Sequence, residues 1–446
     1  MSGIFFAILL VCLRSADRVV ADDPAAKLIR FNEDGGWCWF QDERVIVHDG
    51  KIILGTIAAG RDDASRKGDV EVSSYDIRTG KTTRFELHER LQLDDHNSPA
   101  FLARPDGRIL ALYAKHGSED HFYYRISEPN DPAHWGAVRI FTPSAKTRLT
   151  YSNLYRLQEE GGRIYDFFRG LGGFWKPSFA ISDDEGETWA AGSILIQSPA
   201  ARPYVRYASN GIDAIHLLYT EGHPRDFDNS IYHIFYRGGD LRRSDGSVIR
   251  GLLEGLKNPD EGTRIFQGDP EHVAWATDLE LDGRGHPYAA YSVQVGSAGL
   301  AAGQGGEDHR YRYARWDGRQ WLDSHLAYAG RRLYAGEDDY TGLVALHPHN
   351  PDVVYVSTDA DPATGKALIS KADGKRHYEI FKGTTKDSGR YWQWAPVTRD
   401  SSMDNLRPVV PKWHADNTAL LWLRGTLRAY TDYDLEVVGI ITDGIR

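Results

Sequence analysis

Two histidines bracket one short stretch, residues 91–117, LQLDDHNSPAFLARPDGRILALYAKHG. Between His96 and His116 the residues read as two β-strands joined at Pro105-Asp106-Gly107. Pro and Gly supply the turn dihedrals, and the flanking runs are apolar. A hairpin brings the chain back to where it began, so both imidazoles arrive at its open end. Rings that titrate near neutrality can move a proton, hold a substrate oxygen or ligate a metal. Which of these applies depends on what the rest of the chain brings to the same place.

The hairpin has relatives. The same 18-residue frame starts at Trp37 (WCWFQDERVIVHDGKIIL), His96, Tyr151 (YSNLYRLQEEGGRIYDFF), Arg202 (RPYVRYASNGIDAIHLLY) and Asn405 (NLRPVVPKWHADNTALLW). Two more copies, one residue shorter, start at Trp275 and Asp339. Their starts lie about 50 to 75 residues apart, room for four strands each. Seven such units predict an all-β fold, a single seven-bladed β-propeller over 22–446. Ser182-x-Asp184-x-Gly186-x-Thr188-Trp189 is an Asp-box, a turn motif of propeller blades, and 312–321 is a looser copy. Amphipathic helices are absent, apart from a short candidate after Gly251.

With 41% hydrophobic and 12% aromatic residues the chain can fill a large core. A net charge of -10 argues against nucleic acid as a partner. Ile4 to Leu13 is an apolar run too short to span a bilayer, and Val19-Val20-Ala21 resembles a cleavage site. The expectation is a signal peptide at 1–21 and a secreted protein, extracellular or periplasmic, with no membrane attachment after its removal. Cys38 is then the single remaining cysteine, so no internal disulfide forms, and its place between two tryptophans suits the core.

In a propeller the inner strand of each blade starts, and the second strand ends, on one face. That face should collect His96, Asn97, His116, Tyr151, Asn153, Arg169, Arg202 and Tyr204. From later blades it should collect His223, Trp275, Asp278, Asp339, Tyr340, Arg407 and Arg424, with Asn229, Tyr232 and His233 at the rim. The opposite face should carry His48, Asp106, Gly107, Glu159 and Glu160. A rim arginine is ordinarily solvated or salt-bridged. Four arginines and several histidines converging in an acidic protein instead suggest a cleft for an anionic polysaccharide, because guanidinium pairs well with carboxylate and sulfate. Trp275 would offer a platform for a sugar ring. Removing the proton α to a uronic carboxylate needs a cation on the carboxylate, a base, and an acid for the leaving oxygen. His, Tyr and Arg supply all three. A glycoside hydrolase would use paired carboxylates, and Asp278 and Asp339 are the candidates. A sialidase would need an Arg-Ile-Pro element that the N-terminal part lacks.

Several stretches carry a family resemblance: GGWCWFQDERVIVHDGKIILG, GDVEVSSYDIRTG, LDDHNSPAFLARPDGRILALYAKHG, FFRG with the Asp-box, and NSIYHIFYRGG. They resemble the BNR-4 repeat propellers, a group that includes the ulvan lyases of polysaccharide lyase families twenty-four and twenty-five. The resemblance covers most of the chain and is strongest from Gly35 to Gly239. It implies a seven-bladed propeller that cuts a sulfated rhamnose–uronate polymer on the uronic acid side by β-elimination. By position, His96 in DDHN and His116 in KHG look like the family's two histidines, and Arg169 in FFRG like its carboxylate neutraliser. Tyr151 in TYSN looks like its tyrosine, with Tyr155 the other candidate. Either His223 or His233 would be a later substrate-binding histidine. On this resemblance His96 is the base and Tyr151 the acid or a second proton carrier. His116 orients the substrate or shares the proton work, and Asn97, Arg202 and Tyr204 bind.

Two other functions stay open at this point. The BNR-4 group also resembles exo-acting α-L-rhamnosidases that use a histidine on the opposite face, where His48 lies. A carbohydrate-binding propeller without activity is the other. The residues demand no cofactor. A structural metal ion, with calcium on GEDDY (336–340) as the example, and a metal between the histidines are also open.

Overall fold

The computed structural model describes residues 27–443 apart from 43, 174, 200, 201 and 415. The expected leader, 1–21, lies outside the described residues. Seven antiparallel sheets are arranged as a β-propeller, and no α-helix occurs among the described residues. Blade 1 is built from Val45–His48, Lys51–Ile57, Val70–Asp76 and Lys81–His88. Blade 2 opens with Ala100–Ala103 and Ile109–Tyr113, blade 3 with Leu154–Leu157 and Arg163–Arg169, and blade 4 with Val205–Ser209 and Ala214–Tyr219. Blade 5 opens with His272–Leu281 and Pro287–Val295, and blade 6 with Val344–Leu346 and Val353–Thr358. Blade 7 uses Asp404–Val409, Asn417–Ala429 and Asp432–Asp443. The two inner strands of every blade overlap the seven hairpin frames of the sequence, although several run past the frame ends.

Strand burial follows position in the blade. Ile109–Tyr113 and Ala214–Tyr219 are buried along their whole length. Each inner strand lies between two neighbouring blades, so both faces of its sheet are covered and the residues read as apolar runs. The outer strand Lys81–His88 is largely exposed and reads KTTRFELH. The core is a set of apolar layers between blades, not one central mass.

Blade 7 takes its fourth strand from the other end of the chain. Ile29–Asn32 pairs antiparallel with Asp432–Asp443, Ile29 opposite Gly439 and Arg30 opposite Val438. A Cβ on Gly439 would sit 2.2 Å from the carbonyl oxygen of Leu420 on the neighbouring strand Asn417–Ala429 and 3.0 Å from the Phe31 ring of the closing strand, so this position requires glycine.

The Asp-box forms as expected. Ser182 Oγ donates to Asp184 Oδ1 (2.9 Å) and receives Gly186 N (2.9 Å), while Thr188 N donates to Asp184 Oδ1 (2.9 Å). A second one sits in blade 6, at Thr385-x-Asp387-x-Gly389-x-Tyr391-Trp392. There Thr385 Oγ1 donates to Asp387 Oδ1 (2.8 Å) and receives Gly389 N (3.1 Å), and Tyr391 N donates to Asp387 Oδ1 (3.0 Å). The segment after Gly251 forms two 3₁₀ turns, Leu252–Glu254 and Pro259–Glu261, and no α-helix.

One expectation is corrected. The frame beginning at Trp37 was to start a strand, but the inner strand of blade 1 begins at Val45. Residues 37–42 instead cross the mouth of the central channel. Cys38 N donates to the Asp95 carbonyl (3.0 Å), Gln41 Nε2 to the carbonyls of His96 (2.7 Å) and Ser98 (2.8 Å), and Asp42 bridges to Asn153. Trp39, Phe40 and Cys38 cluster with Tyr151, Tyr204, Trp275 and Tyr340. Wide aromatic side chains fill the axial space that seven splayed inner strands cannot close.

Phe31 on the closing strand is fully buried and meets Tyr75 edge-on at 5.1 Å. Phe31→Ala should cost about 3–5 kcal/mol, read as a lower urea midpoint. An unchanged midpoint would show that this strand does not hold the ring.

Candidate active site

The site begins at a 3₁₀ turn, Asp95–Asn97, on the connection from blade 1 to blade 2. Asp94 caps it: Asp94 Oδ1 accepts the His96 backbone N–H (3.0 Å), the usual work of an aspartate at such a start. The same carboxylate holds two imidazoles. Oδ1 lies 2.6 Å from His96 Nδ1, and Oδ2 lies 2.9 Å from His116 Nδ1. The rings stack with centroids 3.9 Å apart and planes at 11°. Tyr430, from the hairpin of blade 7, meets both edge-on, at 5.1 and 5.7 Å. Asp95 is spoken for by Arg407, 2.6 Å from Oδ2, and Arg407 also donates to the Trp37 carbonyl. Asp95 Oδ1 also lies 3.0 Å from His96 Nδ1, so His96 faces both carboxylates, whereas His116 pairs with Asp94.

Burial opposes a charge on His96, but Cys38, Tyr151 and Asp94 around it outweigh burial and hold its pKa well above the ordinary histidine value. Burial and the charge on His96 push His116 down to about 4, against the pull of Asp94. Two stacked imidazolium ions would repel at this distance. At neutral pH the pair thus carries one positive charge, on His96, and His116 is neutral.

Arg169, at the end of the second strand of blade 3, lies 4.7 Å above the Tyr151 ring, 4.6 Å from that of Tyr204 and 5.6 Å from that of Trp175. It is 5% exposed and makes no ion pair among the described residues, and its Nε and Nη1 lack hydrogen-bond partners there. Tyr151 Oη is equally unpartnered, and burial raises its pKa well above 10. Its ring is 5.5 Å from that of His96. Tyr151 and Arg202 each open a hairpin frame, and both are left-handed, with φ of 67° and 60°. That conformation is costly for a bulky residue and is kept where the surroundings over-determine it.

The structure thus brings His96, His116, Tyr151, Arg169 and Tyr204 together. His223 joins their edge, 5.5 Å from Tyr204 and 5.2 Å from Trp275, and burial keeps it neutral with a pKa of about 2. Arg202 stands on the rim, paired with Asp226 at 2.7 Å. Asn97 is buried and donates to Gln92 Oε1 (3.2 Å), so it braces the turn. Trp275 is 1% exposed, locked edge-on between Trp39 (4.8 Å) and Tyr340 (5.0 Å), a buried floor and not an open platform. His233 does not reach the rim. It sits inside the blade 4 sheet, fully buried, with His216 Nδ1 at 3.1 Å and Ser244 Oγ at 2.8 Å. As the third residue of Ile231–Arg237 it is already past the strand's start. Arg424 pairs with Glu436 in the blade 7 sheet. Asp278 and Asp339 do not form a pair: Asp278 binds Arg206 (3.2 Å), and Asp339 accepts from Gln294 (2.9 Å). On the opposite face His48 Nε2 lies 3.2 Å from the Gly107 carbonyl, tying two neighbouring turns together.

Two described groups have the composition of a metal site, Cys38–Asp95–His96 and Asp94–His96–His116. Neither fits an ion as arranged. In parallel stacked rings the in-plane lone pairs cannot converge on one centre, and beside Cys38–Asp95–His96 the Arg407 guanidinium on Asp95 Oδ2 already supplies a positive charge that opposes a second cation. In GEDDY each carboxylate has a partner: Glu337 with Arg225, Asp338 with Arg332, and Asp339 with Gln294.

Asp94, Asp95, Cys38, Phe40, Trp175 and Tyr430 were not foreseen as site residues. The acidic pair directly before His96 was a local signal for Asp94. Tyr430 had none, because ring closure alone brings it there. Trp175 packs where a Cβ on Gly117 would lie, 1.7 Å from its Cη2, so the residue after His116 must be glycine.

Residues 62–328 match the model of the BNR repeat-containing family. The chain belongs to this family. No curated protein matches the chain in sequence. Among solved structures, this BNR-repeat propeller is similar to a PL25 ulvan lyase bound to -[GlcA(1-4)Rha3S]-, at 15% identity and a TM-score of 0.66, covering 92% of this chain and 95% of that one. It is also similar to the polysaccharide lyase Uly1, at 13% identity and a TM-score of 0.58, covering 96% and 94%. At such identities the likeness is one of fold.

Asp94→Asn removes the charge that favours imidazolium, so the His96 pKa should fall. An NMR titration of the ring protons reads this, with His116 near 4 in the parent. A His96 pKa unchanged by the substitution would refute the shared-carboxylate reading.

Proposed function

We propose that this propeller is a polysaccharide lyase that cleaves a uronate-containing, ulvan-like sulfated polysaccharide by β-elimination, and that it acts after export. The observation that carries this reading is Arg169: a buried cation with unspent N–H donors, beside an unpartnered tyrosine hydroxyl and a singly charged histidine pair. Arg169 would bind the uronate carboxylate and stabilise the negative charge that grows there as the α-proton leaves. The protonation pattern supports His116, rather than His96, as the base. A neutral imidazole can accept a proton, and the side chain of His116 is 23% exposed against 5% for His96. His116 would take the C5 proton, and the electron pair would form the C4–C5 double bond as the C4–O bond breaks. Tyr151, kept protonated by burial, would give its proton to the leaving oxygen. Imidazolium His96, beside both, would stabilise the developing charge and return a proton to Tyr151.

The engagement of Asp278 and Asp339 elsewhere weighs against a hydrolase. The structural similarity to polysaccharide lyases, one solved with a glucuronate–sulfated rhamnose chain, points the same way. The apolar run Ile4 to Leu13 supports export.

The test is incubation of purified protein with a panel of uronate polysaccharides, ulvan included. An unsaturated uronate absorbs in the near ultraviolet, so absorbance should rise. No rise on any polymer would sink the lyase reading. Arg169→Ala should lower kcat by about 10²–10³. The pH profile of kcat/KM should rise through about 4 as His116 loses its proton and hold until His96 or Tyr151 deprotonates. An acidic limb near 7 would point to a different base.

A further inference from the structure

On the same face as the histidine pair, a pocket of about 220 Å³ opens between blades 4, 5 and 6. Its walls are the connection after Pro287–Val295, rich in glycine and alanine, and the loops carrying Arg225 and Asp338-Asp339. Buried ring contacts link it to the candidate site. Arg169 touches Tyr204 at 4.6 Å, Tyr204 meets Trp275 at 5.0 Å, and Trp275 meets Tyr340 at 5.0 Å, the residue after Asp339.

The chemistry of this end is opposite to that at Arg169. The pocket's lining includes Asp228, Asp338 and Asp339. Its cation is already committed: Arg225 pairs with Glu337. Arg332, beside it, bonds Asp338 at 3.2 Å. Asp338 Oδ2 also accepts Gly303 N at 2.6 Å, which pins the small-residue loop over the cavity. Asp339 is 7% exposed, and Gln294 Nε2 fixes its Oδ1. Oriented carboxylates beside small residues accept hydrogen bonds from vicinal hydroxyls. Next to a sulfate or a second uronate they would repel, and no free guanidinium is there to compensate.

We propose that this pocket is a subsite for an uncharged sugar ring of the bound polysaccharide, so that the chain cut at Arg169 carries an unsulfated residue a few rings away. The proposal rests on the lyase reading for its place along the substrate, but the recognition it describes is one of binding. Burial and the neighbouring Asp338 and Glu337 already lift Asp339 to about 7, so a further anion beside it meets an environment short of positive charge.

The experiment is calorimetric titration of the full chain at pH 8, where Asp339 is ionised, with two tetrasaccharides of alternating glucuronate and rhamnose, one sulfated and one chemically desulfated. The desulfated ligand should bind more tightly, by about tenfold or more, the scale of one uncompensated like-charge contact. Asp228→Asn, at the exposed mouth, and Asp339→Asn, which keeps the shape beside Gln294, should each narrow that gap by strengthening the sulfated ligand. Tighter binding of the sulfated ligand to the parent, a gap unchanged in both variants, or no binding of either ligand overturns the subsite. If the desulfated ligand wins but no unsaturated product appears, the lyase reading fails and the subsite stands.

Discussion

Ring closure is the constraint on which the rest depends. Ile29–Asn32 adds the outer strand to the blade that ends the chain, so the first and last strands hold one sheet together. An open array of six blades and a fragment would leave two apolar blade faces in water and a row of unpaired edge groups. Closure also builds chemistry. It brings Tyr430 and Arg407 of blade 7 against the connection that carries Asp94, Asp95 and His96. The candidate site therefore lies across the seam of the ring, where the two ends of the chain meet.

At that seam the charges are divided rather than pooled. Asp95 holds Arg407 through Oδ2 and turns its other oxygen to His96. Asp94 satisfies the histidine pair, and the one positive charge it favours stays on the more buried ring. Among the described residues Arg169 pairs with no carboxylate and lies against the faces of Tyr151, Tyr204 and Trp175. Aromatic faces stabilise a guanidinium without consuming its donors. A buried arginine held this way is preorganised for an anion arriving from outside, whereas a salt-bridged one such as Arg202 must first give up its partner. Tyr151 adds backbone strain to the same place, its left-handed turn aiming the hydroxyl where the strand alone would not.

Much of this was legible in the residues. The seven hairpin frames are the inner strands of the seven blades, because alternate burial between blades forces short apolar runs separated by Gly and Asp turns. His96, His116, Tyr151 and Arg169 were singled out by their places in those frames, and they do meet. The misreadings have physical causes. Trp37 looked like the head of a strand because its frame matched, yet the channel needed a plug and aromatic bulk supplied it. Register placed Trp275 on the open face as a platform and His233 at the rim, but bulges and strand starts shift register by a residue or two, enough to bury a ring. The second Asp-box escaped because Tyr391 stands where the motif has a small hydroxyl residue, while the bonds through Thr385 Oγ1 and Asp387 that define the turn persist.

The sequence by itself determined the architecture and the cast of the site. Turn chemistry and apolar periodicity are local, and a repeated local pattern has few global solutions. Tertiary structure alone decided which group holds the proton, which arginine is free and which face of each ring is open. Those properties depend on burial and on charges from other blades, separated by hundreds of residues: Arg407 reaching Asp95 is 312 positions away in the chain. A pKa or an unspent donor is a property of that surrounding, and no spacing within a single strand encodes it.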